Sequence, residues 1–236
     1  MNWKEISSNP VDSRVHDYIL EELRSRKIEP VPDLMTFIKS FVSGFDVLDI
    51  GVVEHDISHM ESKHWKHKCI CEWADSVLGI DILKDEIDFL KDKGFQVQCV
   101  DATSDVFLGK RFDRVVIGDV IEHVNNPVKL LEFSRRHIVD GGKIMVSTPN
   151  PFFYKFILKM VREGTFIANA EHISWISPCM ALELGRRADL TLSGYCLLHG
   201  RPKAMWKRLF KRAAEIVVGV DSELFSNSIV YIFEKS

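Results

Sequence analysis

The sequence predicts an α/β protein built on a mostly parallel sheet, and three observations carry that prediction. Short apolar runs alternate with amphipathic helical stretches along the chain, the pattern of repeated βαβ units. Runs such as Val47-Leu48 and Val115-Val116-Ile117 are apolar at successive positions, as strands buried on both faces are. Several of these runs end in an acid or a glycine, at the edge where an open α/β sheet binds its ligands.

Taken in order, residues 11–27 carry Val15, Tyr18, Ile19 and Leu23 at helical spacing with charges between them. Pro30 and Pro32 end that helix, and Asp33 is placed to cap a second one running to about Ser43. Residues 1–44 thus read as a helical cover for the sheet edge or the mouth of a site, and 45–236 as the core of the same single domain. The first strand is Phe45-Asp46-Val47-Leu48-Asp49-Ile50-Gly51. A polar, His-rich stretch to Trp73 is expected to be the first crossover helix, with Met60, Trp65, Ile70 and Trp73 inward. Further strands are expected over 76–81, 95–101, 112–119, 143–148, 190–198 and 229–233. Helices are expected over 84–93, stopped by Gly94, and over 126–139, stopped by Asp140-Gly141-Gly142. Two more are expected over 153–162 and 178–188.

At 236 residues the chain is long enough for one large domain with a substantial core. A hydrophobic content of 46% and a charged content of 28% are those of an ordinary globular protein. A net charge of -3 gives no bulk argument for a nucleic-acid partner. No apolar run reaches transmembrane length, and residues 1–10 are too polar for a signal peptide. The five cysteines, unevenly spaced, suggest free thiols in a reducing compartment. The expectation is a cytoplasmic enzyme.

Asp49, Asp81, Asp101 and Asp119 all fall at or just past the ends of expected strands. Acids along one rim suit ribose hydroxyls or an amino group, as in dinucleotide folds, although such acids also cap the helices that follow them. The turn lacks Gly-x-Gly-x-x-Gly, which argues against a nicotinamide dehydrogenase.

Three segments carry a family resemblance: Val47-Leu48-Asp49-Ile50-Gly51, Val77-Leu78-Gly79-Ile80-Asp81, and the run from Phe112 through Asp119-Val120-Ile121-Glu122-His123 to Pro127. With Gly141-Gly142-Lys143 and Ser147-Thr148-Pro149-Asn150-Pro151-Phe152 they resemble class I S-adenosylmethionine-dependent methyltransferases. Asn169-Ala170-Glu171-His172-Ile173-Ser174-Trp175 resembles the branch associated with bacterial polysaccharide and small-molecule O-methylation. The resemblance implies a Rossmann-like seven-stranded, mostly parallel sheet with helices on both faces and the last strand antiparallel. It implies S-adenosylmethionine as cofactor. Asp49, Gly51 and Val52 would lie by its amino-acid part, Asp81 on the ribose, Ile82 against the adenine, Asp101 and Ala102 at the adenine amine, and Gly118 and Asp119 under the sulfonium. The implied reaction is methylation of a hydroxyl on a sugar or glycan precursor. A quinone or phenol acceptor is one alternative and a non-catalytic module another. The departure from the family is Val53 and His55, which stand where its glycine-rich turn has two further glycines; a branched residue adopts glycine-only angles at a cost.

For chemistry, His123 is the first candidate base for the acceptor hydroxyl, and Asp119 and His172 are further catalytic candidates. His172 and Trp175 lie in the segment after the fifth strand, where the resemblance implies closure over the acceptor and an aromatic could stack on it. Asn150 is a weaker candidate for an acceptor contact. Asp119-x-x-Glu122-His123 is also similar to a pattern in ubiquinone-pathway O-methyltransferases in which a divalent metal helps, but the sequence favours no metal ion here. The cluster His64, His67, Cys69 and Cys71 is too tight for usual zinc spacing. Residues 201–212 hold six basic residues and no acid, with Trp206, Leu209 and Phe210 between them, within a basic helical insertion at 201–218. That stretch suits a phosphate-bearing acceptor or peripheral contact with a membrane surface.

Overall fold

The structure is a computed structural model and describes residues 3–54, 58, 60, 62, 64–167, 169–198 and 223–236. The expected basic insertion at 201–218 and His55 lie outside these residues. Seven strands form one sheet: β1 (Asp46–Ile50), β2 (Ser76–Asp81), β3 (Val97–Cys99), β4 (Phe112–Gly118), β5 (Ile138–Pro149), β6 (Leu190–Leu198) and β7 (Ser228–Lys235). Their order is β3-β2-β1-β4-β5-β7-β6. The first five pair in parallel, while β7 runs antiparallel to both β5 and β6. This is the Rossmann-like sheet the sequence implied, with its last strand inserted between β5 and β6.

The two faces follow from the period of two along each strand. Leu48, Ile50, Val115, Ile117, Ile144 and Val146 face helices α5 (Pro127–His137) and α7 (Pro178–Arg187), against Leu130, Leu131, Phe133 and Ala181. Val47, Val77, Val116, Met145 and Val230 face the other way, onto α2 (Leu34–Val42) and α3 (Lys66–Trp73), meeting Phe37, Ile38, Val42 and Ile70. Burying each such Val, Leu or Ile is worth roughly 1.5–3 kcal/mol. A third apolar cluster, under α4 (Lys84–Asp92), joins Ile87 and Leu90 to Val52, Val53, Trp65 and Val97.

The N-terminal cover divides between two places. α2 roofs one face of the sheet, whereas α1 (Ser13–Arg26) lies along the β6 edge. There the Arg26 guanidinium donates to the Leu192 carbonyl and the Ile28 N–H to the Tyr195 carbonyl at 2.9 Å, so part of the open edge is covered. The helix starts match their local chemistry. Asp33 accepts from the Thr36 N–H at 2.8 Å, and Asn126, ahead of Pro127, accepts from the Lys129 N–H at 3.1 Å. Gly94, at φ +89°, closes α4 in the left-handed region.

Two expectations are corrected. The crossover helix after β1 begins only at Lys66, because Val52 and Val53 are drawn into the apolar cluster with Trp65, whose indole N–H donates to the Val52 carbonyl at 2.9 Å. The helix expected to 139 ends at His137. Branched Ile138 is already extended and pairs with Phe112, and the register shift after that pair accommodates Asp140-Gly141-Gly142 within β5. Among the described residues no helix is long and apolar enough to cross a membrane.

Candidate functional site

The carboxyl ends of β1, β2 and β4 form the rim on which most of the expected site residues lie. Gly51 leaves β1 at φ +84°, and a Cβ there would come within 2.2 Å of the Val120 side chain, so turn geometry and close packing both require glycine. Val53 keeps an ordinary backbone. The second left-handed position is taken by Glu54, at φ 52°, so the turn has a different shape from a glycine-rich one. Asp81, the last residue of β2, binds this turn. Its Oδ2 accepts from the Val53 N–H at 3.0 Å and its Oδ1 from the Leu83 N–H at 3.2 Å. Ile82 beside it is 67% exposed, an apolar surface offered on the rim. Asp101, just past β3, accepts from both the N–H and the hydroxyl of Thr103 at 2.7 Å, with Ala102 buried next to it.

Asp49 shares a sheet face with Val47, which turns its carboxylate toward α3. There Oδ2 meets Nδ1 of buried His67 at 2.8 Å. Burial alone disfavours the imidazolium. The hydrogen bonds to Asp49 and Cys71, with the charge of Asp49, outweigh it and raise the His67 pKa to about 9. Asp49, Gly51, Val52, Lys66 and Gly118 line a crevice of about 10 Å3, the room of about one water.

Lys66 narrows this crevice. Its ammonium donates to the Gly118 carbonyl at 3.1 Å and to Asp119 Oδ2 at 3.3 Å, with Glu54 Oε1 at 3.7 Å. Burial opposes the charge on Lys66, but Asp119 and Glu54 raise its pKa overall. Asp119 is itself left-handed, at φ 58°, and its Oδ1 accepts from the Ser147 hydroxyl at 3.1 Å.

On the other side of β1, past β4, Glu122, His123 and His172 come together. The Glu122 carbonyl accepts the N–H groups of Ile173 and Ser174 at 3.0 and 3.3 Å, which brings His172 across from a distant part of the chain. The rings of His123 and His172 meet edge to face at 4.8 Å. Trp175 continues the contact, 5.2 Å from both His172 and Phe166. Glu122 is fully buried, and burial pushes its pKa up to about 7. Beside this group lies α6 (Tyr154–Glu163), which buries none of its residues.

The geometry brings together Asp49, Gly51, Val52 and Gly118 at the crevice, Asp81 and Ile82 with Asp101 and Ala102 along the rim, and His123 with His172. Asp119, held by Lys66 and Ser147, stands outside the converging group of Glu122, His123 and His172, though its charge still helps to raise the Glu122 pKa. Asn150 is ruled out as an acceptor contact. Its amide donates to the carbonyls of Glu223 and Ser226 and accepts from the Phe152 N–H, which is a structural role. His67 faces Asp49 rather than joining a zinc cluster. The sequence reading missed Lys66 and Glu54, which belong to no motif and reach the crevice from the segment before α3 and the first turn of that helix.

A family profile described as a methyltransferase domain matches residues 17–192. The ubiquinone biosynthesis O-methyltransferase of Aeromonas salmonicida is 24% identical over 193 residues, covering 75% of this chain and 76% of that one. Among solved structures, the CcbJ methyltransferase of Streptomyces caelestis superposes with a TM-score of 0.58 at 13% identity, covering 88% of this chain and 91% of that one. A SAM-dependent methyltransferase of Archaeoglobus fulgidus gives 0.55 at 18% identity, covering 93% and 99%. With a profile spanning most of its length and the sheet these structures share, the chain belongs to the methyltransferase-domain family, with the Rossmann-like fold of the class I enzymes and S-adenosylmethionine as its expected cofactor.

Proposed function

We propose that this chain transfers a methyl group from S-adenosylmethionine to a hydroxyl of a small acceptor, with a sugar or glycan precursor as the class to test first. The observation that carries this reading is that Asp81 and Ile82 follow β2 while His123, in ring contact with His172, follows β4, the two strands that flank β1 and the crevice between Gly51 and Gly118.

The residues fit the cofactor. Each Asp81 oxygen accepts one backbone N–H and has a lone pair left for a ribose hydroxyl. Ile82 offers an apolar face to the adenine, and Asp101 stands beside it. The Gly118 carbonyl, which Lys66 engages here, is an acceptor suited to an ammonium group and has a second lone pair to offer. The cofactor supplies an electrophilic methyl group on a sulfonium. The protein supplies alignment of the acceptor oxygen behind that methyl and a group that takes the hydroxyl proton, and His123 is placed for this.

A second reading, a phenol or quinone-type acceptor, draws support from the ubiquinone-pathway relative and from the aromatic wall of Trp175, Phe166 and Phe156. The third, a non-catalytic module, is motivated by Val53 and His55 in the turn. Glu54 takes a left-handed position there without a glycine, which weakens the motive at Val53, while His55 lies outside the described residues. A phosphate-bearing acceptor or a membrane surface would meet the basic stretch 201–212.

The test is calorimetric titration with S-adenosylmethionine and S-adenosylhomocysteine beside Asp81→Ala. Saturable binding, weakened about 10- to 100-fold by the substitution, is expected from the loss of charge-assisted hydrogen bonds. Absence of binding by the folded protein would overturn the reading. Turnover of nucleotide sugars against catechols and quinols then chooses the acceptor class.

A further inference from the structure

We propose that Glu122, His123 and His172 hold a divalent transition-metal ion. Among the described residues this is the group of His, Cys and carboxylate side chains whose ligand atoms converge, all within 4.8 Å of one another. One carboxylate and two imidazoles form a set that suits Zn, Mn, Fe or Co and leaves coordination positions open. Around one ion at about 2.1 Å, tetrahedral ligand atoms stand roughly 3.4 Å apart, so modest side-chain rotations close the site.

The second observation is the state of Glu122. It is completely buried, yet neither carboxylate oxygen has a hydrogen-bond partner among the described residues. The Thr148 hydroxyl is close enough to ease its charge without reaching hydrogen-bonding geometry. A buried carboxylate left this way is costly unless it takes up a proton or a cation meets it. Lys66, whose charge reaches Glu122, is bound instead to Asp119 and Gly118. The site is also held in place. Two hydrogen bonds onto the Glu122 carbonyl fix the segment bearing His172, and the Ser174 hydroxyl donates to the Ile121 carbonyl at 3.3 Å. The sequence alone favoured no metal, because it read Glu122 and His123 as the start of a helix. The third ligand comes from a distant part of the chain.

The open positions would take acceptor oxygens. A hydroxyl bound there is acidified by the ion and gives its proton to solvent, so that His123 serves as a ligand in place of the base role proposed above. This activation of the hydroxyl rests on the methyl-transfer reading, whereas the site itself does not. It also fits both acceptor classes, because vicinal sugar hydroxyls and catechols alike present two adjacent oxygens.

The test uses the full chain, stripped with chelator and titrated with Mn2+ by calorimetry, with broadening of histidine ring NMR signals as the locator. Expected are one ion per chain, broadening centred on His123 and His172, and at least a tenfold loss of affinity in both Glu122→Gln and His172→Gln. The second variant alters a partly exposed side chain, so it keeps the test valid if the first destabilises the fold. No saturable binding, or equal affinity in the variants, would overturn the proposal. Cofactor titration on the same samples separates the two readings. Cofactor binding without the metal removes only the metal site, and metal binding without the cofactor leaves the site standing and removes the methyl-transfer role.

Discussion

The two sides of the crevice solve their polar chemistry in opposite ways. On the β1–β3 side every acid is answered by the chain itself: Asp49 by His67, Asp81 by two backbone N–H groups, Asp101 by Thr103. On the side that follows β4, the buried Glu122 carboxylate lacks a hydrogen-bond partner among the described residues, and the neighbouring helix α6 leaves Tyr154, Leu158 and Val161 exposed. The first side is preorganised, so its residues carry stability as well as any ligand. The second leaves a buried carboxylate that the described residues do not answer.

Four experiments break or sharpen that contrast. The largest effect is expected from Asp49→Ala, which strands a buried imidazolium. It should cost about 3–5 kcal/mol in urea denaturation. If it costs under about 1 kcal/mol, the self-paired side is not a stability element.

Next is the pH dependence. The His67 pKa is raised to about 9 in the folded state, so its contribution is complete below the unfolded value near 6.5. It fades as pH rises toward 9, by about 3 kcal/mol at most. Stability measured from pH 6.5 to 9 should fall, and the slope should vanish in Asp49→Ala.

Gly79→Ala comes third. A Cβ there would meet His67, Val52 and Val97 at 2.6–2.9 Å, so a loss of roughly 1–3 kcal/mol in denaturation midpoint experiments is expected. The smallest effect is expected on the other side. Leu158→Ser and Val161→Ser should change stability by no more than about 0.5 kcal/mol. A larger loss would mean these side chains are packed, and the contrast would fail there.

The sequence made local features legible and left distant ones dark. The bounds of β2 and β6, the Asp33 cap and the Gly94 stop came from spacing and from residues that act on their own neighbours. The strand-end acids were visible as a set, but not the direction of Asp49, which depends on which sheet face α3 covers. Lys66 follows a stretch without periodicity, so nothing marked it. His172 joins Glu122 only through hydrogen bonds between segments far apart in the chain. The resemblance had singled out both residues, without the contact between them. The shape of the β1 turn was hidden for a related reason. Val53 announced a missing glycine, while the answer lay in the backbone of Glu54.

The position of β7 has a consequence for how the molecule is made. During synthesis β6 emerges before the strand that joins it to the rest of the sheet, and until β7 slots in, β5 and β6 both present open ladders. These are long-range pairings of the slow kind, and such waiting edges are sticky. The Tyr231 hydroxyl of β7 also donates to the Ile176 carbonyl at 2.7 Å, next to the segment that carries His172 and Trp175. A nascent chain therefore has the strands that carry Asp49, Asp81 and Asp101 long before the segment bearing His172 and Trp175 is braced, and that brace arrives with the last strand.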